Sequence, residues 1–165
     1  MSLASPQTAA INGAAFKIGV VAARFNAALA DGLLARALAA LRAAGVKERH
    51  LTVLRVPGSH ELPWAAHELT KRGGPFDKLR AGRDCVIALG VLIGGDTNHH
   101  EMVGQSVSHA LQGIAVTTGV PVINGVIVAH TPAQARARCV GKINRGAEFA
   151  HAALAMAALK KGRAR

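Results

Sequence analysis

The stretch DCVIALGVL, residues Asp84–Leu92, is apolar at every position after the first. A strand with one face in water alternates apolar and polar residues, whereas a strand of a parallel sheet covered on both faces is continuously apolar. We therefore predict that this stretch is a buried strand of a parallel sheet. Three further apolar stretches predict strands of the same sheet: Phe16–Ala23, His50–Val56 and Pro121–Val128.

Helical patterns lie between these strands. Leucines that recur at i, i+4 and i+7 predict a helix that ends before Gly45, and Asn26 is a candidate N-terminal cap for it. A second apolar face predicts another helix, which ends before Gly119. The residues of these two faces are Leu34, Leu38 and Leu41, and Val103, Val107, Leu111 and Ile114. Further helices are predicted at His60–Lys71, after Thr131-Pro132, and at Asn144–Leu159. The alternation predicts an α/β fold in which right-handed crossovers join the strands of a four-stranded parallel sheet that is covered on both faces.

The chain of 165 residues has the length of one domain. We expect an N-terminal arm at residues 1–15, a single domain at residues 16–160 and a basic tail at residues 161–165. Gly73–Arg83 is predicted to be a polar, solvated excursion between two elements. Long alanine-rich helices around a small sheet leave surface to bury, so we expect a homo-oligomer.

Composition excludes several classes of protein. The 20 Lys and Arg outnumber the 9 Asp and Glu, but nine of the basic residues fall in Lys71–Arg83 and after Leu159, which favours general solvation over a specific nucleic-acid site. Aromatic residues make up 3% of the chain and Tyr is absent, which argues against an aromatic platform for single-stranded nucleic acid. The two cysteines, Cys85 and Cys139, are far apart, which indicates neither a disulfide framework nor a zinc module. No apolar run is long enough to span a bilayer and no signal peptide is evident, so we expect a cytoplasmic protein without membrane contact.

Ligands of open α/β sheets bind beyond the carboxyl ends of the strands. The loop from Gly94 to Thr97 leads into a helix there, and its glycines and the first helical N–H groups could hold a phosphate or form a plain turn. His99 and His100 follow, and because adjacent helical positions diverge by about 100°, one of them can face the cleft while the other points elsewhere. His99 is either a proton-transfer group or a structural histidine. A metal site would need a third converging ligand, which the sequence does not identify.

Two other loops at this edge carry candidate residues. Ser59, His60 and Glu61 could hydrogen-bond a polyol or amide, or Ser59 could simply cap the following helix. Phe25 could stack on a planar heterocycle or pack against a neighbouring helix or subunit. Arg138 could neutralise a phosphate or lie on an exposed helix face.

Five motifs in this order resemble the lumazine synthase family over roughly Phe16 to Leu159. They are RFN at Arg24–Asn26, VPGSHELP at Val56–Pro63, LGVLIGGDTNHHE at Leu89–Glu101, TGVPVINGV at Thr118–Val126 and GKINRGAEFA at Gly141–Ala150. The resemblance implies a flavodoxin-like fold, a three-layer α/β/α sandwich. It also implies pentamers, or multiples of pentamers, with active sites between subunits. It implies condensation of 5-amino-6-(D-ribitylamino)uracil with 3,4-dihydroxy-2-butanone 4-phosphate to 6,7-dimethyl-8-ribityllumazine, phosphate and water, the penultimate step of riboflavin biosynthesis. It implies these small-molecule substrates, and neither a metal nor an organic cofactor.

The resemblance also assigns roles to individual residues. Phe25 matches the ring-stacking aromatic, and His99 matches the residue proposed for proton transfer. The loop that holds the ribityl and pyrimidine groups matches Ser59, His60 and Glu61, and the strand end that lines the heterocycle matches Val91, Leu92 and Ile93. The phosphate loop matches Asp96 and Thr97, and the residues supplied by the neighbouring subunit match Asn124 and Arg138. The alternatives are a homologue that binds lumazine or flavin without catalysis and a basic RNA-associated protein.

Overall fold

The computed structural model describes residues 11–71 and 82–163, which form four strands, five α-helices and two short 3-10 helices at Glu48–His50 and Ser59–Glu61. The strands are β1 (Ile18–Ala23), β2 (Leu51–Val56), β3 (Cys85–Ile93) and β4 (Val122–Ala129). The helices are α1 (Ala27–Ala43), α2 (Leu62–Thr70), α3 (His99–Thr118), α4 (Pro132–Cys139) and α5 (Arg145–Arg163). The predicted strands and helices are all present, with bounds that differ by a few residues.

All four strands are parallel and lie in the order β2-β1-β3-β4. The predicted parallel sheet is thereby confirmed, and the continuous apolar run of β3 is explained because β3 is buried over its first seven positions. From β1 the chain winds outward to β2 and then returns across β1 to β3. In this fold class the reversal leaves a crevice beyond the carboxyl ends of β1 and β3.

Helices cover both faces of the sheet, which makes the three predicted layers. On one face α1, α4 and α5 bury residues such as Leu33, Leu41 and Leu154 against the sheet. On the other face α2 and α3 bury Leu69 and Leu111. The two separate apolar clusters account for a flavodoxin-like sandwich. No helix among the described residues combines the length and apolarity that a membrane span requires.

The expectation of a solvated excursion is wrong at its end. Arg83 lies two residues before the start of β3 and is only 3% exposed. Its guanidinium donates to Oγ1 of Thr52, and burial lowers its pKa. Lys160 donates to the Arg83 carbonyl oxygen at 2.9 Å. Residues 73–81 of the excursion lie outside the described ranges.

The last helix is also longer than predicted, since α5 continues past Leu159 to Arg163. A salt bridge ties the last turns of α5 to the residue before β3, since Nζ of Lys161 lies 3.4 Å from the carboxylate of Asp84. Of the predicted N-terminal arm, residues 11–15 are described, and there Ile11 packs on the core while the Gly13 amide donates to the Ala44 carbonyl at 2.7 Å.

Candidate functional site

A cleft of about 390 Å³ lies at the carboxyl ends of β1, β2 and β3, where the winding of the chain reverses. The residues that line it include nine of the twelve site residues predicted from the sequence: Phe25, Ser59, His60, Glu61, Val91, Leu92, Ile93, Thr97 and His99. The cleft also includes Asn26, Gly58, Gly95, His100 and Val103, which were not among the twelve.

The loop after β1 presents an exposed aromatic ring to this cleft. The Phe25 side chain is 74% exposed, while its amide donates to the Pro57 carbonyl at 3.0 Å and so ties this loop to the loop after β2. An exposed phenyl ring at a cleft is suited to cover one face of a planar ligand.

The prediction that the Asn26 side chain caps α1 is wrong. Asn26 precedes α1 with φ 56°, in the left-handed region, and its side chain makes no cap hydrogen bond. Its Nδ2 instead donates to the Val91 carbonyl at 2.9 Å. The side chain therefore braces the β1 loop against the end of β3, which fixes the width of the cleft between them.

Ser59 does not cap the following helix either. Glu61 reaches back instead, and its Oε2 accepts a hydrogen bond of 2.8 Å from the Gly58 amide. Ser59 is 4% exposed, and its Oγ makes no hydrogen bond to any residue within the described ranges. An unpaired buried hydroxyl costs about 1–3 kcal/mol, and Ser59 lines the cleft, so a molecule bound there that pairs with Oγ would remove this cost.

The floor of the cleft is the apolar end of β3. Val91 is 1% exposed, and Leu92 and Ile93 are half-buried. This surface lies beside the exposed ring of Phe25, so the cleft combines an apolar floor with an aromatic side.

The predicted anion loop meets the start of the 20-residue helix α3. Thr97 and Gly95 line the cleft, whereas Asp96 is exposed and is not among the lining residues. The first N–H groups of a helix lack intrahelical partners and favour an anion. The absence of Asp96 from the lining keeps a carboxylate off the surface where an anion would bind.

Both histidines at the start of α3 line the cleft, so His100 does not point away from it. His99 is exposed and His100 is half-buried. The His100 ring stands edge-on to the ring of His130, with centroids 5.9 Å apart and an interplanar angle of 84°. His130 follows β4, and strand order brings it beside α3.

The remaining two predicted site residues, Asn124 and Arg138, lie in a different concavity of about 280 Å³. It is lined by β4 together with Arg145 and Phe149 of α5, and it shares no lining residue with the cleft. Nη1 of Arg138 donates to the Gln134 carbonyl at 3.0 Å, which holds the guanidinium over α4. One copy of the chain thus carries the predicted residues on two separate surfaces.

The two thiols are not part of either surface. Cys85 and Cys139 are both free and fully buried. Burial raises the pKa of Cys85 to about 12 and raises that of Cys139 as well. Neither cysteine lines the cleft, so the groups there that could move protons are the histidines and Glu61.

Sequence reasoning missed what Gly90 and Asn26 contribute to the shape of the cleft. Gly90 leaves the space that Ser59 occupies, and a glycine inside a strand is a known signal of such close approach. Asn26 gave no comparable signal, because its contact with β3 depends on which strands are neighbours.

Comparison with known proteins places the chain among one set of relatives. A family model described as 6,7-dimethyl-8-ribityllumazine synthase matches residues 15–161. The chain is 40% identical over 149 residues to the 6,7-dimethyl-8-ribityllumazine synthase of Thermococcus kodakarensis, covering 90% of this chain and 89% of that one. It is 37% identical over 178 residues to that of Pyricularia oryzae, covering 88% of each. The match to that of Pyrococcus furiosus, 40% over 103 residues, spans 60% of the relative's length.

Proposed function

The chain belongs to the 6,7-dimethyl-8-ribityllumazine synthase family, and from this premise we propose that it condenses 5-amino-6-(D-ribitylamino)uracil with 3,4-dihydroxy-2-butanone 4-phosphate. The product is 6,7-dimethyl-8-ribityllumazine, and the step is the penultimate one of riboflavin biosynthesis. The observation that carries the proposal is that the family match spans residues 15–161 and so contains every residue that lines the cleft.

The chemistry needs positioning and proton transfer more than a protein nucleophile. The 5-amino group attacks the ketone, and loss of one water gives an imine. Phosphate then leaves, and the ribitylamino nitrogen closes the second ring with loss of another water. Holding both substrates in register contributes on the order of several kcal/mol. The absence of a thiol from the lining of the cleft is in keeping with this route.

The pyrimidine ring is proposed to lie between Phe25 and the apolar end of β3. The exposed phenyl ring covers one face of the heterocycle, and Val91, Leu92 and Ile93 line the other side. The buried Ser59 hydroxyl supplies a hydrogen bond to a polar group of the ribitylaminouracil.

The phosphate is proposed to lie at the start of α3. Thr97 and the first helical N–H groups would bind its oxygens. His99 stands next to that position and is proposed to transfer protons during imine formation and elimination, which is typically worth about 10²–10⁴-fold in rate.

Asn124 and Arg138 are proposed to reach the phosphate and heterocycle of a neighbouring copy of the chain. In a single copy they lie on a surface separate from the cleft, so they contribute only if a second copy brings that surface to it. Large apolar side chains stay exposed in the single copy, among them Trp64 at 70% and Val116 at 78%, which supports burial between subunits. We propose a pentamer or a multiple of pentamers, acting in the cytoplasm.

The first experiment follows formation of the fluorescent lumazine from both substrates above the uncatalysed rate. We expect His99→Ala to lower the single-turnover rate by about 10²–10⁴-fold with little change in product binding. His109→Ala is the matched control, because His109 lies on the same helix outside the cleft. Unchanged turnover in His99→Ala would remove that residue from the mechanism. No turnover by the wild type, together with tight lumazine or flavin binding, would favour a non-catalytic binding protein.

A second experiment tests whether the site is shared between copies. Arg138→Ala and His99→Ala chains are unfolded, mixed and refolded together, so that about a quarter of the subunit interfaces combine an intact His99 with an intact Arg138. We expect activity to reappear in the mixture and not in either variant refolded alone. Arg136→Ala is the control, because Arg136 is on the same helix but does not line the second concavity. Failure of the mixture to regain activity would place both residues in one copy's site.

A further inference from the structure

Three side chains with metal-binding atoms converge beside the cleft. One imidazole nitrogen each from His100 and His130 and a carboxylate oxygen of Glu101 all lie within 4.8 Å of one another. Parallel pairing produces this convergence, since Ile93 of β3 is in register with Ala129 of β4 and the Gly94 amide donates to the Ala129 carbonyl at 2.8 Å. The segments that follow the two strands therefore run side by side.

The two ring nitrogens of His100 are unpaired polar atoms. Both Nδ1 and Nε2 are buried, and neither makes a hydrogen bond to any residue of the described part of the chain. A buried polar atom without a partner costs about 1–3 kcal/mol, so a ligand that bonds one of these nitrogens is favoured. This observation is independent of the clustering of the three side chains.

Gly94 provides the space for this arrangement. A Cβ at this position would lie 3.2 Å from Nε2 of His100 and 2.9 Å from the carbonyl oxygen of His130. Any larger residue would displace the His100 ring or the segment that carries His130. The glycine thus keeps the two imidazoles close together.

We propose that His100, Glu101 and His130 form a binding site for a divalent transition-metal ion of the Zn²⁺ class. Two imidazoles and one carboxylate are a donor set that suits such ions and is too rich in nitrogen for Mg²⁺ or Ca²⁺. Bond lengths of about 2.0–2.1 Å place donors about 3.3 Å apart in a tetrahedral site. Glu101 and His130 are exposed, so rotation of their side chains can close the remaining gap.

The negative charge of Glu101 favours a cation at the start of α3. The start of a helix carries a partial positive charge that disfavours a cation, and the Glu101 carboxylate in the first turn of α3 offsets it. The thiols do not compete for the ion, because Cys85 and Cys139 are fully buried. A bound ion would join the start of α3 to the segment between β4 and α4.

The test uses full-length, untagged, metal-free protein titrated with Zn²⁺ by calorimetry and with Co²⁺ by visible absorption. We expect one saturable site per chain and the ligand-field bands of nitrogen-coordinated Co²⁺. His130→Ala and Glu101→Gln should weaken binding by more than about tenfold, since even loss of groups that only support a ligand costs that much. His109→Ala and His99→Ala should bind as the wild type does.

Thermal unfolding gives a second readout that does not depend on catalysis. Zn²⁺ should raise the Tm of the wild type and not that of His130→Ala, because an ion that binds only the folded state stabilises it. Absence of saturable binding, or equal binding by His130→Ala, would overturn the proposal, and so would loss of binding in His109→Ala or His99→Ala. The proposal does not rest on the lumazine reaction, so its failure would leave the turnover experiments unaffected.

Discussion

Replacing Gly90 by Ala tests whether the position of the Ser59 hydroxyl in the cleft depends on the absence of a side chain at residue 90. Gly90 lies in the buried part of β3, and a Cβ there would come within 2.4 Å of Ser59 Oγ. Its next contacts would be 3.1 Å to Cδ1 of Leu62 and 3.3 Å to Cβ of Ser59. Ordinary contact begins at 3.4 Å, so Oγ has to move by 1.0 Å, the difference between 3.4 and 2.4 Å.

The size of the effect follows from these contacts. Forcing an extra methyl group into a packed core costs about 1–3 kcal/mol, so we expect Gly90→Ala to lose stability in that range. Ser59→Ala alone should leave stability unchanged or slightly raised, because the buried hydroxyl makes no hydrogen bond within the described ranges. In the double variant the 2.4 Å contact is gone, and the two that remain need shifts of only a few tenths of an ångström. A favourable coupling of about 1 kcal/mol or more is expected for residues in such contact.

The assay is a double-mutant cycle by urea unfolding at one fixed protein concentration, since assembly makes stability depend on concentration. Far-UV circular dichroism is the suitable probe, because the single Trp is 70% exposed in one copy of the chain. Binding of the lumazine product is titrated in parallel, and both Ser59→Ala and Gly90→Ala should weaken it by about fivefold, the equivalent of one hydrogen bond of about 1 kcal/mol. Strictly additive stabilities, or a loss above about 1 kcal/mol in Ser59→Ala alone, would refute the reasoning.

Three further changes have defined outcomes. Phe25→Ala should weaken product binding by about 1 kcal/mol or more in a fluorescence titration. It should change the free energy of unfolding in urea by less than about 0.5 kcal/mol. A variant that binds the product as tightly as the wild type would remove the stacking role of Phe25. Gly146→Ala should destabilise the protein, because the added Cβ would lie 2.6 Å from the Leu33 carbonyl oxygen of α1. In Gly113→Ala, on α3, the added Cβ meets nothing within 4 Å, so this variant should stabilise the protein by up to about 1 kcal/mol. A stabilised Gly146→Ala in the same unfolding assay would contradict the close α1–α5 packing. Burial raises the pKa of the Cys85 thiol from 9.0 to about 12, so as the pH rises this thiol ionises in the unfolded chain before it ionises in the folded one. The stability of the wild type should therefore fall relative to that of Cys85→Ala between about pH 9 and 12, by at most about 1.4 kcal/mol per pH unit. A constant difference in stability over that range would show no such linkage.

Much of the cleft could be predicted because its residues lie in sequence motifs at strand ends. Ser59, Thr97 and His99 each follow a predicted strand, and the carboxyl ends of parallel strands share one edge of the sheet. The motifs also carry the resemblance that the family match bears out over residues 15–161. Local predictions were less reliable where two interactions compete for one side chain. Asn26 was predicted to cap a helix and instead braces β3, and the helix after Ser59 begins without a Ser59 cap.

The order of elements and the parallel sheet followed from the sequence by itself, because hydrophobic periodicity is a local property of the chain. The order of strands did not, since β1 lies between β2 and β3 only as a result of packing. That order alone placed His130 beside His100, separated Asn124 and Arg138 from the cleft, and buried Arg83 against β2. These contacts join residues far apart in sequence, so they depend on the closeness of surfaces that no local pattern encodes.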